Sequence, residues 1–241
     1  MANLVWKLEK FVIFETNWTD LPAEMRRMCI ERMDFKTRAS LRVTSKFEKS
    51  LVDSTKLYLR YFGWKMSPQE LRIEKTAVPV GKLSERAFVD LLASFFKRIA
   101  FVDEIFIEAC ECAVRVEPLL LAELQKCEPI GFASFYANSS PCVDVQLHLI
   151  RTCATFLRRV RIDQLSEENT HKPFMAIPQF VNAKFIQTTP GSSESALSFI
   201  VDITQKWIDN DEEIGRVAVC YMLDSTEGHE QFAQKFAHRI M

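Results

Sequence analysis

Four histidines and seven cysteines are the side chains of this chain best suited to acid–base, nucleophilic or metal chemistry. Cys110 and Cys112 form a Cys-x-Cys pair beside a predicted strand, but a structural zinc site needs a second close pair or correctly spaced histidines, and neither follows. One of the two thiols is expected to point into the core and the other out. His148 lies on an apolar helical stretch and reads as a core-edge histidine, whereas His171, His229 and His238 fall in polar or terminal settings. The acidic run Asp209–Glu213 has the pattern of a solvated loop that ends a helix near Trp207. With six glycines in the chain, no Gly-x-Gly-x-x-Gly turn, Gly-Lys-Ser/Thr phosphate loop or Gly-x-Ser-x-Gly elbow is written. No catalytic residue, metal or cofactor is implied.

An enzyme would need a pocket with convergent Cys, His and acid groups that the sequence does not announce, so the remaining elements are read for binding. The 241 residues are 48% apolar and 26% charged, the composition of an ordinary soluble chain long enough for a sizeable core. A net charge of −1 gives no pull toward nucleic acid or acidic membranes, although residues 17–56 carry nine Lys or Arg against six Asp or Glu. The opening MANLVWKLEKFVIFETN interrupts its apolar stretch with Lys7, Glu9 and Lys10 and lacks a cleavage site, so it does not read as a signal peptide. The longest uncharged run, Pro129–Val143, is too short and polar to span a membrane. An odd cysteine count without an export signal points to reduced thiols and an intracellular protein.

The stretch Asp20–Ser54 reads as a small helical unit. Thr19 and Asp20 offer capping oxygens, Pro22 suits a first turn, and Glu24 sits near the positive end of the helix dipole. Leu21, Met25, Met28, Cys29 and Met33 gather on one helical face, which is expected to be buried. Asp34 breaks the pattern before a second helix, Lys36–Thr44, and a third, Ser45–Ser54, whose Phe47, Leu51 and Val52 are expected to close over the first. A unit below about 40 residues buries too little apolar surface alone, so its core should be completed by a partner.

Leu21, Pro22, Glu24, Met33, Asp34, Leu41, Arg42, Ser45, Lys46, Leu51, Val52, Asp53 and Ser54 read without a gap in register with the F-box, which this stretch resembles. MDFKTRASLR and SKFEKSLVDS are similar to the expanded nematode F-box families. The resemblance implies a non-catalytic substrate receptor of the cytoplasm or nucleus that docks on a Skp-type adaptor and so joins a cullin–RING (SCF) ubiquitin ligase. Its implied adaptor-binding residues are Leu21, Pro22, Met25, Cys29, Met33, Leu41, Thr44, Ser45, Glu48 and Leu51. Three of them depart from the family pattern. Cys29 stands where isoleucine or leucine is usual, Thr44 where valine is common, and Glu48 where tryptophan is common. Losing a buried aromatic anchor costs about 2 kcal/mol or more at an interface. The alternative reading is thus a non-catalytic scaffold or recognition protein whose F-box has drifted.

The expected organisation is an N-terminal extension over residues 1–18, with an amphipathic Val5–Phe14 to which no function is assigned. The three-helix F-box follows over 19–56, then a connecting segment over 57–82 and an α/β repeat-like domain over 83–241. Leu57–Trp64 is aromatic and is expected to form a hinge core, with one strand around Leu71–Ala77. From Leu83 the chain alternates helical patterns with short apolar runs, which argues for α/β structure with parallel strands. The runs at Val102, Ile130, Leu157 and Ile214 share the form apolar-x-x-apolar-x-apolar, with Ile105, Ala133, Val160, Lys184 and Val217 as equivalent points. A period near 28 with one strand and one helix per unit resembles leucine-rich repeats. The helices are predicted at Glu85–Ile99, Pro118–Cys127, Val143–Phe156, Glu194–Trp207 and Glu227–Arg239, with Ser193 starting the fourth.

Strand alternation then sorts side chains by face. Ile105, Ile107, Val160 and Ile162 should turn inward. Phe106, Ser134, Tyr136, Arg161 and Asp163 should face outward as candidate target-binding residues, with Ala218 and Cys220 expected beside them.

Overall fold

A computed structural model describes residues 17–66, 69–74, 76–78, 80, 83–108, 113–138, 142–153, 155, 157–165, 171–190, 193–210, 215–220 and 226–237. Val5–Phe14, the Cys110/Cys112 pair, most of the acidic run after Asp209, and His238 lie outside the described residues. The chain divides into two compact units, Met1–Thr55 and Lys56–Met241.

In the first unit a 3-10 turn, Trp18–Asp20, precedes α1 (Ala23–Arg32), α2 (Phe35–Arg42) and α3 (Lys46–Ser54). Neither Thr19 nor Asp20 caps α1; Pro22 occupies the cap position and makes no side-chain bond there. The other two starts are capped as their residue types dictate. Asp34 accepts from the Thr37 N–H at 2.7 Å, and Ser45 from the Glu48 N–H at 3.1 Å. The core is Ile30, Leu51 and Val52, with Trp18, Met33 and Leu41 packed against it. This reverses the expected orientation of α1: Met25, Met28 and Cys29 are exposed, and the buried residue is Ile30 on the opposite side. Phe47 is likewise exposed rather than folded over α1. The buried Arg38 works at the other end of α1, donating to the carbonyls of Met33 at 3.1 Å and Glu31 at 2.9 Å, where a helix has unpaired acceptors and a negative dipole end. Arg42 grips both oxygens of Asp53 at 2.7 and 3.1 Å and ties α2 to α3.

The second unit is built on one sheet of eight strands in the order β3-β2-β1-β4-β5-β6-β7-β8. They are β1 (Leu57–Met66), β2 (Gln69–Ile73), β3 (Thr76–Val78), β4 (Ile99–Glu108), β5 (Gly131–Asn138), β6 (Arg159–Leu165), β7 (Phe185–Pro190) and β8 (Val217–Cys220). The helices between them are α4 (Glu85–Phe96), α5 (Ala113–Leu124), α6 (Val143–Thr152), α7 (Lys172–Met175), α8 (Pro178–Val181), α9 (Ser193–Asp209) and α10 (Thr226–Phe236). Strands β1 and β4 to β8 pair in parallel, each with the next in sequence, while β2 and β3 pair antiparallel at the β1 edge. Residues 57–82, expected as a connecting segment, therefore hold three strands of the sheet. The aromatic cluster there is sheet core and not a hinge: Phe62 and Trp64 meet Phe96 of α4 edge-on at 5.4 and 5.5 Å.

A six-residue pattern recurs through the parallel strands. Leu59/Phe62/Trp64, Val102/Ile105/Ile107, Phe132/Phe135/Ala137, Leu157/Val160/Ile162 and Ala183/Ile186/Thr188 are all buried at its first, fourth and sixth places. Register aligns Phe62, Ile105, Phe135, Val160, Ile186 and Ala218 in one row. Phe135, not Ala133, is thus the equivalent point of β5. Lys184 leaves the core slot it was expected to fill, which belongs to Ile186. Ala218 shares the row of Ile186, and Cys220 that of Thr188, so both lie on the helix-covered face and not on the outward one. The α5 helix begins at Ala113, ahead of Pro118, and the two short helices α7 and α8 were not anticipated. The α6 start lacks a side-chain cap of its own, and the Glu117 carboxylate of α5 accepts from the Val145 N–H at 3.2 Å instead. Among the described residues no helix is long and apolar enough to cross a membrane.

Gly131 opens β5 where space is short: a Cβ would lie 2.6 Å from Thr155 Cγ2 and 2.9 Å from Phe101 Cδ2. Thr155 is held there because its hydroxyl donates to the Phe132 carbonyl at 2.9 Å. Gly131→Ala is expected to cost about 1–3 kcal/mol by overpacking, read as a lower urea midpoint. Gly63→Ala is the control, because its Cβ would meet only the movable phenol end of Tyr61, at 2.9 Å.

Candidate functional site

Two surfaces carry side chains that are not consumed by the folding of their own unit. On the first unit, α1 is apolar on both sides. Ile30 fills the core, and the far side presents Met25 at 52% and Met28 at 58% exposure, preceded by exposed Pro22 and half-buried Leu21. The exposed Phe47 on α3 and Val43 at the end of α2 add further uncovered apolar area. Thioether chains of this kind repack readily against a partner.

The implied adaptor-binding residues divide accordingly. Pro22, Met25, Cys29, Thr44 and Ser45 are exposed and Leu21 is half-buried, but Met33 and Leu41 pack on the unit's own core and Leu51 belongs to it. The Thr44 hydroxyl turns back to the Leu41 carbonyl at 2.8 Å, and Ser45 is engaged as the α3 cap. Glu48 is also turned inward. Its Oε1 takes Arg26 Nη1 at 2.9 Å, with side-chain exposures of 14% for Arg26 and 7% for Glu48. The same guanidinium lies 4.5 Å from the centre of the Phe47 ring. A carboxylate so enclosed must be paired, and Arg26 supplies the charge. Met28, Val43 and Phe47 are the surface residues that sequence reasoning left out. The i, i+3 spacing of Met25 and Met28 showed that they share a face, but not which face the core would take.

The second surface is the sheet face away from α4. Register sets its side chains in three rows. Tyr61, Glu104, Ser134, Arg159 and Phe185 form one, and Gly63, Phe106, Tyr136, Arg161 and Gln187 the next. Lys65, Glu108, Asn138, Asp163 and Thr189 form the last. All five candidate target-binding residues lie on this face. Phe106, Tyr136, Arg161 and Asp163 line one depression together with Asn138, and Ser134 stands in the adjoining row. Internal contacts hold the rows in place. Tyr61 stacks on Phe106 with centroids 6.5 Å apart, Lys65 pairs with Glu108, and Arg161 Nε reaches both Asp163 oxygens at 3.0 Å. Thr189 donates to the same carboxylate at 2.8 Å. Arg159 donates to the Tyr136 hydroxyl at 3.3 Å and lies 5.6 Å from the Phe185 ring centre. Tyr61, Glu104 and Arg159 were missed, although the Leu59/Phe62/Trp64 pattern places Tyr61 outward by the rule applied to Phe106.

His171 departs from its expected polar setting. It is buried, with Nε2 2.9 Å from Asp202 Oδ2 and its ring edge-on to Phe199 at 5.8 Å. An imidazole–carboxylate pair is part of a hydrolase triad, and here it joins the α7 start to α9 with the imidazole buried and the carboxylate partly exposed. His148 is half-buried, and burial pushes its pKa below the usual range. No group of three or more His, Cys, Asp or Glu among the described residues is placed to hold a metal ion.

An F-box domain model matches residues 18–60. No curated protein and no solved structure matches the chain. An F-box indicates, in general, a substrate-adaptor role in an SCF-type ubiquitin ligase and binding to Skp-type adaptors.

Two outcomes follow from this geometry. Glu48→Ala strands the Arg26 charge and is expected to cost about 3 kcal/mol, whereas the double change Arg26→Leu with Glu48→Leu restores most of that loss, as read by thermal unfolding of the full chain. Native-state alkylation at pH 8, followed by mass spectrometry, should modify the exposed Cys29 and spare Cys142, whose thiol burial pushes up to about 12 and therefore keeps protonated at that pH.

Proposed function

We propose that this chain is the substrate receptor of a cullin–RING ubiquitin ligase, docking on a Skp-type adaptor through its first unit and presenting a protein target on the sheet face of its second. The observation that carries the reading is the outward apolar stripe of Met25 and Met28 on an F-box unit whose own core needs only Ile30, Leu51 and Val52. A helix apolar on two sides is stable when both are covered, one by its own unit and one by the adaptor. The departure at Glu48 weighs less than its position suggests, because Arg26 neutralises it and the neighbouring Phe47 offers the aromatic group.

The second unit acts in this reading as a leucine-rich-repeat-like array, supported by the recurring buried triplets and the sequential parallel order. Its uncovered rows hold the target, with Phe106, Ser134, Tyr136, Arg161 and Asp163 among the contacts. The likeness of MDFKTRASLR and SKFEKSLVDS to nematode F-box families favours a family-specific recognition region. The chain itself makes and breaks no bonds; holding a target near a loaded conjugating enzyme raises effective concentration.

The test is a calorimetric titration of the full chain against a Skp-type adaptor, with Met25→Asp/Met28→Asp beside it. Saturable wild-type binding, weakened at least 100-fold in the double variant with an unchanged circular dichroism spectrum, is the expected result. Equal binding by both proteins would refute the assigned docking surface.

A further inference from the structure

The uncovered sheet face carries two charges of opposite sign that its own ion pairs leave unmatched. Lys65 is met by Glu108, and Arg161 by Asp163. Glu104 and Asp103 on β4 take part in no ion pair among the described residues. They line a depression with Tyr61, Glu74 and Arg60, so three acidic residues and one basic residue surround it, and the Glu74 carboxylate accepts from the Arg60 backbone N–H at 2.8 Å. Glu104 is the register partner of Tyr61, whose ring stacks on Phe106. A carboxylate beside an aromatic pair suits a lysine or arginine side chain.

Two strands further along the same row stands Arg159, exposed and joined to the Tyr136 hydroxyl and the Phe185 ring, with no carboxylate at ion-pair distance among the described residues and the charge of Glu104 acting on it across Ser134. Between the two poles β5 contributes only Ser134, small enough to let a peptide backbone approach. Neighbouring strands lie about 4.8 Å apart, so the poles are about 10 Å from each other. A polyproline-II chain rises about 3.1 Å per residue and returns to the same side every three residues, so its side chains at i and i+3 are about 9 Å apart.

We propose that the occupant of this face is an extended, polyproline-II-like segment of the target protein that places a lysine or arginine at Glu104 and Asp103 and, three residues away, an aspartate or glutamate at Arg159. The proposal rests on the target-binding reading of the sheet face and specifies its chemistry. Charge sets the order in which the segment lies across the strands, and the stacked Tyr61–Phe106 pair lies alongside the cation's aliphatic stem.

The experiment selects short random peptides from a display library on the full chain, once with the wild type and once with Glu104→Arg/Arg159→Glu. The wild-type pool is expected to enrich opposite charges at a spacing of three in one chain order, and the swapped variant to enrich the reverse order. Glu104→Gln, which only removes charge, should weaken the best wild-type peptide about tenfold and serves if the swap does not fold. A pool without the charge spacing, an order unchanged by the swap, or full-strength binding by Glu104→Gln would overturn the proposal. Adaptor titration of the same variants should stay at the wild-type level. Lost adaptor binding with retained peptide selection would count against the receptor reading alone.

Discussion

Handedness is the constraint on which the second unit depends. A strand–helix–strand crossover between parallel strands is right-handed in nearly all cases. Among the parallel strands β1 and β4 to β8 each step goes to the adjacent position in one direction, so the helices that connect them must fall on the same side of the sheet, while the antiparallel β2 and β3 extend it the other way from β1 without a crossover. A doubly wound sheet reverses direction between parallel crossovers and covers both faces; the parallel strands here do not. The buried triplets accordingly face the helices, and the intervening residues are left as a surface. That surface is polar, aromatic and internally ion-paired, which is how an uncovered sheet face stays compatible with water.

The first unit solves the opposite problem, having too few residues for a full core. It places Ile30, Leu51 and Val52 inside and satisfies its helix ends with Asp34, Ser45 and Arg38. Methionine, phenylalanine and valine remain outside. The pairing of Arg42 with Asp53 gives a physical reason for two of the positions that carry the family resemblance, since it fixes α2 against α3 and thereby the direction in which α1 presents its stripe.

Local patterns made much of this legible. The helix break at Asp34, the parallel α/β order, and the inward Ile105/Ile107 and Val160/Ile162 pairs all follow from spacing and residue type, whereas the expected caps Thr19 and Asp20 do not form. So does the outward placement of Phe106 and Arg161. The failures share a cause, which is that periodicity identifies a face but not its occupant. On α1 the apolar residues Met25, Met28 and Cys29 outnumbered Ile30, yet the single β-branched residue took the core, with Met33 beyond the helix packing on it. On β5, Ala133 and Phe135 have the same parity, so choosing the wrong one shifted the repeat by two residues without disturbing the alternation. In β1 the aromatic density of LYLRYFGW hid a triplet of the same form as the rest. Tyr61, which neighbours Glu104, was lost with it.

The antiparallel β2 and β3 close one edge of the sheet, while the opposite edge ends in β8, four residues long and partly exposed. Because each parallel pair joins consecutive units, most long contacts are between neighbours and none requires the two ends to meet. Grip on a target held over β1, β4 and β5 would accordingly draw on contacts local to those strands.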